Sequence, residues 1–335
     1  MNPIPRRLFT APEKKTTGFA EVLLAWYSLH RRDLPWRADR DPYRVWISEV
    51  MLQQTRVAAV IEHYVEFLRR FPSVEKLAAA RQATVLAAWS GLGYYRRARM
   101  MHAAAKMIVR KYGRKFPQSS KELENLPGIG RYTAAAIASI AFGEPVAVVD
   151  GNVERVLQRL VGKSLAGDEM WNRANEMLDP ARPGDFNQAM MELGATVCTP
   201  RTPACLTCPI YEPCRTRGEF PPLRKAMPQK KCEVHYALDM RNGHSDTKEI
   251  FLVQRPRNAS LMAGMWELQE ITGKNGEGKA FLRLRHSITV TDYTVKVWNK
   301  PAVTSNPGKW IPVQRLNRIA LTGLARKILR AASIL

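Results

Sequence analysis

No apolar run in this sequence approaches the roughly 20 residues of a membrane-spanning helix, and the opening stretch MNPIPRRLFTAPEKK lacks the apolar core of a signal peptide. Both absences point to a cytoplasmic protein with no membrane attachment. Low-complexity blocks are missing too, while eight Trp and a 45% hydrophobic content mark a folded chain rather than a disordered one. At 335 residues the chain is too long for one ordinary core, so two domains are expected. Acids are the scarce charge: 30 Asp and Glu against 52 Lys and Arg give a formal charge of +22. The window 91–115 holds Arg96, Arg97, Arg99, Lys106, Arg110, Lys111, Arg114 and Lys115 and no acid. A solvated helix face would account for such a run. Phosphate neutralisation supplies most non-specific nucleic-acid affinity, so the basic balance favours DNA or RNA as the partner.

Helical periodicity runs through TGFAEVLLAWYSLHRR, DPYRVWISEVMLQQTRVAAVIEHYVEFLRRF and TVLAAWSGLGYYRRARMMHAAAKMIVRKYG. In GEFPPLRKAMPQKK, Pro and charge replace the pattern, which reads as a linker. Short β-type runs follow: VHYALDM, EIFLVQRP, MWELQEI, HSITVTDYTVKVW and KWIPVQ, closed by the helix-like TGLARKILR. The expected organisation is an all-α domain over 1–217, a linker over 218–232 and a small α+β domain over 233–335.

Four of the five cysteines, Cys198, Cys205, Cys208 and Cys214, follow a C-x6-C-x2-C-x5-C spacing. In a cytoplasmic chain a metal is a better reading than disulfides, and four thiolates suit either tetrahedral zinc or an iron–sulfur cluster. Cys232 lies apart, in the expected linker, and reads as an unligated thiol. SSKELENLPGIGRYTAAAIASIAF combines a capping-box pattern, Ser119 to Glu122, with an LPGIG turn and an Ala-rich helix. Gly128 and Gly130 allow a sharp turn at a helix N-terminus, where free amides and the helix dipole attract one DNA phosphate.

Two acids are candidates for chemistry. Asp41-Pro42 should open a helix running from Pro42 to Thr55, with Glu49 on its apolar stripe and no base at its i±3 or i±4 positions. Desolvation there suits a proton donor. Asp150 ends the run VAVV, and with Asn152 placed to cap a helix from Val153, Asp150 is left for another task near a helix N-terminus. One protonated and one ionised acid form the pair that cleaves a glycosidic bond through an oxocarbenium-like transition state.

The motifs LPWR, DPYRVWISEVMLQQT, WSGLGYYRRAR, LPGIGRYTAAAI, VVDGNVERVL and FNQAMMELGATVC, with the four-cysteine loop, closely resemble the adenine DNA glycosylases of the MutY kind. The resemblance spans residues 20–216. It implies a multidomain chain: a helix-hairpin-helix glycosylase domain with a [4Fe-4S] cluster in the loop 198–214, then a Nudix-like α+β domain. Its substrate would be double-stranded DNA with adenine opposite 8-oxoguanine or guanine, met in the cytoplasm at the nucleoid by a monomer. Glu49 would protonate adenine N7, Asp150 would face the sugar cation, Asn152 would hold Asp150, and Tyr132 would support the cation. Gln53, Gln54 and Tyr94 match positions that enter the duplex when adenine is everted. Arg32, Leu34, Trp36, Arg37, Leu52 and Gln188 match the base pocket. Related bifunctional enzymes such as endonuclease III carry a strand-cleaving lysine where this chain has Tyr132, so a monofunctional enzyme is expected.

Over 233–335 the resemblance is to the family's MutT-related domain, without the G-x5-E-x7-R-E-x2-E-E box of nucleotide hydrolysis. The family reads 8-oxoguanine through a Phe-Ser-His loop, and here Ile288, Thr289 and Val290 stand in its place. Ile288 keeps an apolar wedge and Thr289 a hydroxyl, but the imidazole is lost. An ordinary strand would also explain the alternation in HSITVTDYTV. Two other readings remain at this point: a glycosylase for thymine or uracil opposite guanine, and a lesion-binding iron–sulfur protein without catalysis.

Overall fold

The computed structural model describes residues 16–217, 229–243, 247–259, 261–271, 280–288, 290–302 and 308–335. Helices come first: α1 (Thr16–His30), α2 (Pro42–Leu52), α3 (Val57–Arg70), α4 (Val74–Ala79), α5 (Gln82–Ala88), α6 (Arg96–Lys111), α7 (Ser120–Leu123), α8 (Arg131–Phe142), α9 (Gly151–Val161), α10 (Gly167–Met177) and α11 (Pro183–Thr196). Strands follow: β1 (Lys230–Leu238), β2 (Met240–Asn242), β3 (Lys248–Gln254), β4 (Trp266–Glu267), β5 (Gln269–Glu270), β6 (Leu282–Ile288), β7 (Thr291–Asn299) and β8 (Gly308–Pro312), before α12 (Gly323–Ala331). Among the described residues no helix is long and apolar enough to cross a membrane. The described residues gather into two compact units: one drawn from 16–42, 118–124 and 130–217, the other from 43–117, 125–129 and the described residues from 229 onward.

In the first unit, α9 carries Val153, Val156, Leu157 and Leu160 at helical spacing and buries that stripe with Leu23, Tyr27, Ala189 and Leu193 of α1 and α11. Each such side chain, fully buried, contributes about 1.5–3 kcal/mol. Cys198, Cys208 and Cys214 pack against the same core. Gly194 lets α11 approach the start of α9, because a Cβ there would lie 2.7 Å from Asn152 Cβ and 3.0 Å from its carbonyl oxygen.

The helices of the second unit bury Trp46, Phe67, Trp89 and Met101 almost completely. Trp46 meets Phe116 edge-on at 5.6 Å, and Phe67 meets Trp89 at 6.0 Å. Its strands form two four-stranded sheets, one in the order β5-β1-β7-β6, the other with β3 pairing β2, β4 and β8. β1 and β7 are parallel from Lys230↔Thr291 to Leu238↔Asn299. Cys232 therefore lies on β1 and not in a linker. The stretch HSITVTDYTV is a hairpin, not one strand: Ile288 ends β6 opposite Thr291 of β7. The second unit also ties its first helices to the segment before α12, since Ser90 Oγ and Tyr95 Oη both donate to the Leu321 carbonyl, at 3.0 and 3.1 Å. Arg326 Nε donates back to Ser90 Oγ at 3.0 Å.

Candidate active site

Among the described residues two acids are buried as deeply as core residues, Glu49 at 6% exposure and Glu192 at 1%. Glu49 sits in α2 between buried Ser48 and Val50, as the apolar stripe requires. The helix stops at Leu52 rather than Thr55 because Gln54 takes a left-handed φ of 55°, which α-helical hydrogen bonding cannot continue. Leu52 and Gln53 are half-buried there and Gln54 is exposed. Tyr94, 48% exposed, has the same unusual backbone with φ 46°.

Asp150 itself caps α9, which begins at Gly151. Its Oδ1 accepts the N–H groups of Asn152 and Val153 at 2.9 and 2.8 Å, and its Oδ2 accepts Asn152 Nδ2 at 3.0 Å. The cap expected of Asn152 is thus corrected. The carboxylate of Asp150 reaches the second and third amides of the helix, and the Asn152 side chain is turned back to hold it. Three donors at the positive end of a helix dipole complement a negative charge at this point. Arg155, one turn along α9, donates to Asn152 Oδ1 at 2.9 Å and to the carbonyls of Gly194 and Cys198 at 2.6 and 2.8 Å. It ties the cap to the start of the cysteine loop. Burial lowers its guanidinium below the ordinary value.

The pocket candidates Arg32 and Arg37 meet on Glu192. Arg32 donates Nε and Nη2 at 2.7 and 2.8 Å, a bidentate grip, and Arg37 donates Nη2 at 2.8 Å. The backbone N–H of Arg32 adds a fourth bond at 3.1 Å. Burial alone would raise the Glu192 carboxyl, but Arg32 and Arg37 override it and hold it at about 2. Leu34 and Trp36 are buried on either side of Pro35, where the chain makes a 3₁₀ turn over Pro35–Arg37. Half-buried Gln188 lies one turn before Glu192 on α11. Tyr132, in the first turn of α8, places its hydroxyl 3.7 Å from Met191 Sδ. The sequence reading missed Glu192 and Arg155. Both stood inside quoted motifs, four residues after Gln188 and three after Asn152.

The hairpin forms as expected, with Ser119 Oγ accepting Glu122 N–H at 3.3 Å before α7. Its two glycines differ. Gly128 has φ 77°, and a Cβ there would fall 2.4 Å from Met100 Cβ. Gly130 is extended at φ −99°, open to other residues, and caps α8. At the strand end, Ile288 is half-buried and Val290 is 48% exposed, while Thr289 lies outside the described residues.

Cys198, Cys205, Cys208 and Cys214 line a single cavity with Val156, Leu160, Leu193 and Ile210. Among the described residues no three of His, Cys, Asp or Glu surround a point as one metal ion would need. Burial pushes the Cys208 thiol up to about 11 and raises Cys205 as well, with the neighbouring sulfurs adding to both. Arg159 supplies positive charge, donating to Cys198 Sγ at 3.2 Å and to the Thr199 and Pro200 carbonyls at 2.8 and 3.0 Å. Four cysteines on one shared cavity form a donor set that suits a metal group.

Residues 47–178 match the family model described as HhH-GPD superfamily base excision DNA repair protein. A thermostable thymine-DNA glycosylase of known structure superposes with a TM-score of 0.57 at 30% identity, covering 60% of this chain and 96% of its own. Fold, hairpin and site thus define a base excision DNA glycosylase of the helix-hairpin-helix class. The curated relatives narrow this: adenine DNA glycosylase of Mus musculus is 36% identical over 400 residues, spanning 94% of this chain and 78% of the mouse protein. That of Homo sapiens is 34% identical over 406 residues, spanning 94% and 74%. The chain belongs to the adenine DNA glycosylase family and hydrolyses N-glycosyl bonds in DNA.

Proposed function

We propose that this glycosylase releases adenine mispaired with 8-oxoguanine or guanine in double-stranded DNA and leaves an abasic site without nicking the strand. Stacked adenine cannot present its sugar bond to two acids, so the base must leave the duplex and the gap must be filled. Gln53, Gln54 and Tyr94 fill it. Arg32, Leu34, Trp36, Arg37, Leu52 and Gln188 receive the base, and Gly128 and Gly130 shape the hairpin that holds a phosphate. Glu49 gives a proton to adenine N7 and so improves the leaving group; Asp150, held by Asn152 and helped by Tyr132, stabilises the positive charge left on the sugar, and water, its proton taken by the Glu49 carboxylate, adds to that carbon to complete the abasic site. Tyr132 has no amine with which to form a Schiff base.

A [4Fe-4S] cluster on Cys198, Cys205, Cys208 and Cys214 would cross-link the loop that Arg155 and Arg159 grip. Residues 233–335 form the Nudix-like lesion reader, with Ile288 and Thr289 against 8-oxoguanine, and the enzyme works as a monomer in the cytoplasm at the nucleoid. The observation that supports this reading most is the buried Glu49 together with a second acid, Asp150, ringed by three hydrogen-bond donors. The test incubates the protein with a duplex carrying adenine opposite 8-oxoguanine, and with duplexes carrying cytosine in place of the adenine or thymine opposite guanine. Free adenine from the first alone, with strand breaks only after alkali, is expected. Release of thymine instead, or of nothing, overturns the proposal.

A further inference from the structure

Arg97 is unusual for a half-buried cation: among the described residues its hydrogen bonds all go to neutral oxygens. Its Nη1 donates to the carbonyls of Val50 and Met51 at 2.8 and 3.2 Å and to the carbonyl of Gln53. Its Nη2 donates to Thr55 Oγ1, Leu92 O and Gly93 O at 3.2, 3.1 and 3.4 Å. The guanidinium also lies over two rings, Trp89 at 5.4 Å and Tyr94 at 5.3 Å. Burial lowers it to about 10, and its Nε is enclosed with no hydrogen-bond partner. An arginine kept in so demanding a place, with no carboxylate beside it among the described residues, is holding something.

What it holds is two short segments. One is the segment that follows α2, Gln53 to Thr55, and the other is the turn Leu92 to Tyr94. Gln54 and Tyr94, one in each segment, are both non-glycine residues in left-handed conformation, a geometry that persists only where surrounding bonds over-determine it. The planar fork of a guanidinium can satisfy carbonyls on both sides at once and stack under Tyr94, which a lysine ammonium cannot do. The terminal carbonyls of α2 also carry the negative end of its dipole toward the cation.

We infer that Arg97 is a positioning residue that fixes the separation of the Gln53–Thr55 and Leu92–Tyr94 segments, so that they enter the duplex as one preformed wedge. The inference rests on the proposed role of Gln53, Gln54 and Tyr94 in base eversion. Preforming the wedge spares the ordering of two loops at the moment the base leaves the stack.

The test uses the full-length protein and a duplex with 2-aminopurine opposite guanine, its sugar bearing a 2′-fluorine that blocks cleavage. The fluorescence rise on unstacking reports the everted fraction at saturating protein. Tyr94→Ala and Gln54→Ala should each reduce eversion, and Arg97→Lys should reduce the everted-to-stacked ratio at least fivefold with DNA affinity within threefold of wild type. The double variant Arg97→Lys/Tyr94→Ala should lose no more than Tyr94→Ala alone, a non-additivity that a general loss of stability would not produce. Full eversion in Arg97→Lys, or strictly additive losses, overturns the inference while leaving the wedge intact. Unchanged eversion in both Tyr94→Ala and Gln54→Ala overturns the wedge reading itself. If Arg97→Lys does not fold, Thr55→Val removes at constant shape the Arg97 acceptor and the Thr55 Oγ1 donation to the Gln53 carbonyl at 3.2 Å, both within the segment Arg97 holds; a roughly threefold loss is expected, and wild-type eversion overturns the inference.

Discussion

Replacing Glu192 by Gln keeps the side-chain shape and removes the charge on which Arg32 and Arg37 converge. In the folded protein the carboxyl is held at about 2, against an ordinary 4.5. At 1.36 kcal/mol per tenfold that difference is worth about 3 kcal/mol at neutral pH. Stripping one partner from a buried pair costs about 3–5 kcal/mol, so two routes to the magnitude agree. The sign fixes the pH dependence. A depressed acid contributes fully above its unfolded value, and its contribution disappears as pH falls from 4.5 toward 2. At pH 3.5 about 1.4 kcal/mol of it should already be lost. Urea unfolding followed by tryptophan fluorescence at pH 7 and 3.5 measures both quantities. Glu192→Gln should be about 3 kcal/mol less stable at pH 7, with the gap narrowing at pH 3.5. A cost below about 1 kcal/mol, or a gap independent of pH, would refute the assignment of Glu192 as the anchor of the arginine pair.

Three other perturbations probe the supports of the site. Gly194→Ala places a methyl 2.7 Å from Asn152 Cβ, so it should cost about 1–3 kcal/mol in thermal unfolding and slow excision by disturbing the Asp150 cap; an unaltered Tm and rate would show that α11 can yield there. Gly128→Ala meets both a left-handed φ of 77° and Met100 Cβ at 2.4 Å, and should weaken duplex binding in a fluorescence titration at least tenfold if the hairpin holds phosphate. Tyr95→Phe removes one hydrogen bond to Leu321, worth about 1 kcal/mol in urea unfolding, without creating a cavity; no change would mean that Ser90 alone satisfies that carbonyl.

Much of the fold was legible because two periodicities divide the chain: helical spacing as far as α11 and alternation from β1 onward. Glu49 was legible too, since an acid among Val45, Trp46, Val50 and Leu52 on one helix has little choice but burial. The start of α9 was not. Asp and Asn are equally good caps, and only the backbone decides that Gly151 is the first helical residue and that Asp150 is the cap. The hairpin at Ile288 was hidden because residues 289 and 290 are Thr and Val, which carry no turn signal and continue the alternation. The Arg32–Glu192 pair joins residues 160 apart in sequence, beyond any local pattern. Arg97 was counted as one base in a cationic run, although its neighbours in space are the carbonyls at the end of α2.

On the function proposed above, the carboxyl groups of Glu49 and Asp150 together break a single N-glycosidic bond. Single-turnover release of adenine from a duplex with adenine opposite 8-oxoguanine tests it most directly, comparing wild type, Glu49→Gln, Asp150→Asn and the double variant. Each single change should slow release at least a hundredfold with duplex affinity preserved, and the double should be scarcely slower than the worse single, as for groups that act as a unit. Adenine released at the wild-type rate by either single variant would contradict the account.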